Sequence, residues 1–188
     1  HRGHAVVWDA GGDIVASWGD PDAVILPRSS CKMIQALPLV ESGAADAAGL
    51  ETRHLALACA SHSGAHIHTD RVSAWLDHLG LAEPDLRCGP QEPQDMAARD
   101  GLILADDTPC QIHNNCSGKH CGFLTVAQHM GAGPEYLEID HPVQQACLSA
   151  LEETTGETTV TFLGPYDPAL AGWFYLNSPS TRLDAEND

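Results

Sequence analysis

The chain has 188 residues and carries 26 acidic against 9 basic groups, a formal net charge of -17. So acidic a chain, with no stripe of Lys and Arg, excludes a nucleic-acid backbone as partner. No run approaches the roughly 20 apolar residues that a membrane span requires. An apolar fraction of 43% and this length suit one domain with a real core, or a core plus a small appendage. The chain opens at His1 with neither a start methionine nor a signal-peptide core. Seven cysteines without a CxxC pair fit the reduced thiols of a cytoplasmic protein better than a disulfide framework.

Residues 5–8 and 14–18 are apolar runs around a Gly-rich turn, which predicts a β-hairpin. A two-stranded ribbon is marginal alone, so it should edge a larger sheet. A turn at 19–22 and a short apolar run at 23–26 follow. Met33, Ile34, Leu37 and Val40 fall at helical spacing and predict a helix from near Ser29 to Ser42-Gly43, kinked or shortened by Pro38. Residues 54–60 read as a buried strand that ends in the polar cluster Ser61-His62-Ser63-Gly64. Thr69 or Asp70 should cap a helix with Val72, Trp75, Leu76 and Leu79 inward, closed by Gly80. Residues 83–110 read as loop with one short helix near Met96. After a polar turn at 113–118, a helix from Lys119 should bury Phe123, Leu124, Ala127 and Met130 and stop at Gly131. Pro142 opens another helix, with Val143, Ala146, Cys147, Ala150 and Leu151 inward, ending at Gly156. A short strand is expected at 158–161, and residues 169–188 read as a poorly ordered acidic end.

The chain holds only two lysines, Lys32 and Lys119, and both stand beside Ser, Cys and His. Unlike Arg, a Lys can give up its proton when desolvated, so both are read as chemical groups before surface charges. Ser29-x-x-Lys32 is a spacing at which an amine can act as base for a serine nucleophile. The competing reading is a helix cap at Ser29 with Lys32 snorkelling to solvent. Ser61, His62 and Ser63 offer a second nucleophile, oxyanion donors or a capping cluster. His66 and His68 read as solvent-facing. His113, Cys116, His120 and Cys121 have the composition of a zinc site, but their spacing matches no common finger and a satisfied polar turn stays open. Gly118 could frame an anion pocket at a helix start.

With these residues in view, the chain resembles the bacterial L-asparaginase II family of the inducible Rhizobium type. The matching segments are His1-Arg2-Gly3, Pro27-Arg28-Ser29-Ser30-Cys31-Lys32, the run 35–44, Ala60-Ser61-His62-Ser63-Gly64, Cys88-Gly89 and the run 113–120. They keep the family's order over about residues 1 to 156. The resemblance implies a mixed α/β fold, a serine β-lactamase/glutaminase-like sheet with flanking helices, and hydrolysis of L-asparagine to L-aspartate and ammonia. It implies Ser29 as nucleophile, Lys32 as its activating partner and Ser61 as a second active-site hydroxyl. Arg28, His62 and Ser63 are the candidate substrate-binding residues. It also implies a zinc held partly by Cys116 and Lys119, near the substrate and tuning its binding.

The chain departs from the family pattern in several places. The resemblance implies that the start of the family and its later part are missing, and Ala65 stands where a glutamate is expected. Neither the Asp-Gly-Cys segment that gives zinc its third protein ligand nor the lysine that pairs with the second serine has a counterpart after Gly156. The expected organisation is therefore a partial catalytic region over 1–157 and a divergent tail over 158–188. The expected partner is a small molecule, L-asparagine, with no nucleic acid and no membrane, and a homodimer is the assembly left open. Two rival readings stand beside it. One is an inactive fragment with a residual zinc or small-molecule site. The other is a penicillin-binding or β-lactamase-type acyl enzyme.

Overall fold

The computed structural model describes residues 3–23, 28–156, 159–161 and 174–176. The hairpin forms as expected, with β1 (Ala5–Trp8) antiparallel to β2 (Ile14–Trp18) and a bulge between Val7 and Trp8. Asp9 closes its turn by accepting from the N–H groups of Gly11 and Asp13 at 2.8 and 3.0 Å. The larger sheet does not follow. Among the described residues this hairpin pairs with no further strand, and Val7, Trp8, Val15 and Trp18 are exposed.

A 3-10 turn at Arg28–Cys31 leads into three short helices, α1 (Lys32–Gln35), α2 (Leu37–Glu41) and α3 (Ala44–Ala47). The continuous helix expected here is thus divided. Pro38 sits in the first turn of α2, where its missing N–H costs nothing, and the break falls at Ala36.

The strand expected at 54–60 is a helix, α4 (Thr52–Cys59). Its start is fixed by Glu51 and His54, whose side chain and backbone groups cap each other reciprocally. Alternating Leu and Ala mimic a strand's period, yet Leu57 and Ala58 are the residues this helix buries. Helix α5 (His66–His78) starts three residues before the expected cap and buries Val72, Trp75 and Leu76, with Gly80 left-handed beyond it at φ 70°. Asp95 caps α6 (Met96–Leu104) through the Ala98 N–H.

Helix α7 (Ser117–His129) is the centre of the molecule, buried at every position from Ser117 through Ala127. It packs against α3, α4, α5 and α8 (Pro142–Thr155). Met130, expected inside, is 42% exposed. Gly118 has a packing role: a Cβ there would lie 2.5 Å from the Leu57 carbonyl oxygen, so α4 and α7 can touch only at a glycine. Helix α8 buries Val143, Cys147, Ala150 and Leu151, while Ala146 is half-buried. All seven thiols are unpaired, and Cys31, Cys88, Cys116, Cys121 and Cys147 are buried.

Strands β3 (Thr159–Thr161) and β4 (Phe174–Leu176) form a second antiparallel pair. The run at 24–26, Pro27, and the tail other than β3 and β4 lie outside the described residues. The chain is therefore mixed α/β and mostly helical. Among the described residues no helix is long and apolar enough to cross a membrane.

Candidate active site

Lys32 begins α1 with its side chain 1% exposed. Its amine donates to the Ala60 carbonyl at 2.8 Å, to the Asn115 carbonyl at 3.3 Å and lies 2.8 Å from Ser61 Oγ. The four-carbon stem carries the nitrogen away from its own helix to the end of α4 and the loop before α7. Ser29, three residues earlier, is exposed on the 3-10 turn, and its hydroxyl makes no hydrogen bond to any described residue. The structure thus brings Lys32 to Ser61, not to Ser29. Arg28 is exposed beside Ser29 and holds a left-handed backbone at φ 49°, an uncommon conformation for a non-glycine residue.

Ser61 is exposed at the surface while its Oγ reaches the buried amine behind it. The next residue turns inward. His62 is 4% exposed, its Nδ1 accepts the Gly64 N–H at 3.2 Å, and its Nε2 lies 2.8 Å from Ser117 Oγ. Burial, with His68, Lys32 and His113 adding to it, lowers the His62 pKa to about 4. Ser63 is half-buried, and its carbonyl accepts the Asp95 N–H at 2.9 Å. His68 is not solvent-facing as expected: its ring stacks on His62 with centroids 5.1 Å apart. Gly64, at φ 76°, sits where a Cβ would meet the His113 carbonyl and Pro93 at 3.1 Å, so the loop closes tightly on the next segment.

That segment is a 3-10 turn at Gln111–His113 followed by the start of α7. The Asn114 amide donates to the carbonyls of Cys88 and Gly89 and accepts from the Cys116 N–H, and Gln91 accepts from the Asn115 N–H. These bonds fix the Asn115 carbonyl that Lys32 uses. Asn114, Asn115, Gln91 and Ser117 are the site residues that sequence reasoning missed. Asn114, Asn115 and Ser117 stood in the polar run at 113–118, which does not say which side chain faces which backbone, and nothing marked Gln91.

Cys116 and Lys119 lie one turn apart at the start of α7, both buried. Burial pushes the Lys119 pKa down, opposed by neighbouring Cys116 and assisted by Lys32. Cys31 and Cys147 also neighbour Lys119, and burial pushes the Cys31 thiol up. A neutral amine and a thiolate are suitable zinc donors. The set His113, Cys116, His120 and Cys121 does not converge. His113 Nδ1 accepts from the Cys110 N–H and His120 Nδ1 pairs with the Tyr136 hydroxyl. Among the described residues no three or more His, Cys, Asp or Glu side chains group as a metal site.

The family model of L-asparaginase II matches residues 1–167. No curated protein matches the chain. With most of its length matched, the chain belongs to the L-asparaginase II family.

Proposed function

Starting from that membership, we propose that the protein is an amidohydrolase that cleaves L-asparagine to L-aspartate and ammonia. The observation that carries the reading is the buried Lys32 amine held 2.8 Å from the hydroxyl of surface-exposed Ser61. In this reading Ser29 attacks the side-chain amide, the Lys32–Ser61 pair takes up the proton that Ser29 loses, ammonia leaves, and water releases aspartate. The exposed hydroxyl of Ser29 and its place one turn before Lys32 support the assignment. Arg28 and Ser63, on the same two segments, bind the substrate. Family membership supports a serine β-lactamase/glutaminase-like arrangement in the complete fold.

Cys116 and Lys119 would hold part of a zinc site, and the lowered Lys119 pKa supports a metal-binding amine. Bound there, zinc would supply positive charge that tunes substrate binding. Seven unpaired thiols support a reducing, cytoplasmic setting. The assembly proposed is a homodimer, which sedimentation would check.

The test is ammonia release from L-asparagine by the wild-type protein and by Ser29→Ala, Ser61→Ala and Lys32→Met. Ser29→Ala and Lys32→Met should each lose at least about 1,000-fold in kcat, because groups that act as a unit fail together. Ser61→Ala should lose roughly 10- to 100-fold. If Ser29→Ala matches the wild type while Ser61→Ala is dead, the nucleophile is Ser61. An inactive wild type that zinc still stabilises against heat would return the protein to the reading of a binding fragment.

A further inference from the structure

The cage around the Lys32 amine is built from two separate stretches of chain, 60–61 and 115. Its geometry therefore depends on what clamps those stretches together. His62 follows Ser61 directly, yet its ring points away from the surface and both ring nitrogens are engaged inside the protein. The direction of each bond can be worked out. Gly64 N–H is a donor, so it claims the lone pair of Nδ1 and leaves the proton on Nε2. Nε2–H then donates to Ser117 Oγ, and the Ser117 hydroxyl donates onward to the Ile112 carbonyl at 3.0 Å. The backbone of His62 makes a second tie, because its N–H donates at 3.2 Å to the Asn115 carbonyl that also accepts from Lys32. His62 thus grips the segment before α7 at both Asn115 and Ser117, on the two sides of Cys116.

We propose that His62 and Ser117 are a positioning pair that holds Ser61 against the Lys32 amine by locking the 61–64 loop to the start of α7. This rests on the reading of Lys32 and Ser61 as the proton-transferring pair. His62 then touches no substrate, contrary to the role expected from its place beside Ser61. Its lowered pKa supports the assignment, since a neutral ring keeps the line of donors running in one direction through the neutral pH range. A protonated ring would set an Nδ1–H against the Gly64 N–H.

The chain offers a readout that does not depend on turnover. Its only two side-chain amines, Lys32 and Lys119, are 1% and 3% exposed. Reductive methylation of the folded protein, mapped by mass spectrometry, therefore reports directly whether the Lys32 cage has opened. Ser117→Ala removes the link with the least disturbance, His62→Ala removes the ring, and His62→Gln keeps a donor in its place. Ser117→Ala should raise the rate of Lys32 methylation at least about tenfold and lower kcat roughly 10- to 100-fold, with KM within about twofold, as expected for lost orientation. His62→Gln should recover most of the kcat that His62→Ala loses. Lys32 methylation in folded Ser117→Ala equal to the wild-type rate overturns the pair. So does a loss confined to KM in both His62 variants, which would make the ring a substrate contact. Absence of ammonia release in the wild type refutes the asparaginase reading alone, because methylation still judges the clamp. If His62→Ala fails to fold, Ser117→Ala carries the test.

Discussion

Two of the three partners of the Lys32 amine are carbonyl oxygens, which can only accept. Among the described residues, the Ser61 hydroxyl is the partner that can both accept and donate. Lys32→Met takes a donor from both carbonyls and the hydroxyl, leaving the Asn115 carbonyl its bond from the His62 N–H, and should cost roughly 1–3 kcal/mol of stability in urea unfolding, beyond its effect on turnover. His62 gives a pH signature. Its folded pKa of about 4 lies below the ordinary value of 6.5, so between those values the unfolded chain binds a proton that the folded chain refuses. Stability contributed by the neutral ring is present above pH 6.5 and is lost as pH falls toward 4. The groups that face the ring are His68, Lys32 and His113. Discounted for partial solvent screening, the loss should be about 2 kcal/mol, read as a falling urea midpoint that His62→Gln flattens. Lysine scarcity singled out Lys32 and Lys119, and both are buried. The Ser61 partner was not legible. Spacing along the chain compares a residue with its own helix, and a long stem delivers its amine to segments 28 and 83 residues away.

At the level of elements, α4 packs against α7, and two glycines of α7 differ in the room they have. A Cβ on Gly118 would press 2.5 Å from the Leu57 carbonyl, whereas one on Gly122 would meet Leu39 and Ala58 at ordinary distances of 3.5 and 3.6 Å. Gly118→Ala should therefore destabilise by roughly 3 kcal/mol or force α4 outward. Gly122→Ala should be neutral or stabilising by up to about 1 kcal/mol, because alanine suits a helix interior better. Chemical denaturation of the two variants checks both signs. The helices with one wet face, α5 and α8, were readable from their apolar spacing and their glycine stops. Helix α7 was read only in part, because burial on all sides removes the periodicity that marks an inner face. Some of its polar residues bond inside the protein, as when Thr125 donates to the Cys121 carbonyl and accepts from the Trp75 indole. Helix α4 was misread because its run 54–60 is too short and too rich in small apolar residues to distinguish the two periods.

Across the whole molecule, a net charge of -17 sits on a surface from which both lysines have been withdrawn. Arginine, histidine and the amino terminus are left to offset 26 carboxylate side chains. The folded state concentrates that charge more than the unfolded state does, so added salt should stabilise it. Raising sodium chloride from about 0.01 to 0.5 M should increase Tm by a few degrees, roughly, in a calorimetric scan. The ordered set of family segments was legible at this scale, and it matched as a family over residues 1–167. How the segments meet was not. Cys88-Gly89 is held by Asn114, Ala60-Ser61 by Lys32, and such pairings depend on the folded path of the chain.

Burying five of seven unpaired cysteines gives heat denaturation a chemical side. While the protein is folded, air meets little of its sulfur. Once it opens, every thiol becomes available for crosslinking within and between chains, and a scrambled chain cannot return to a fold that contains no bridges. A first melt in air should therefore leave nothing to rescan, whereas the same cycle under a phosphine reductant should give back most of the original transition.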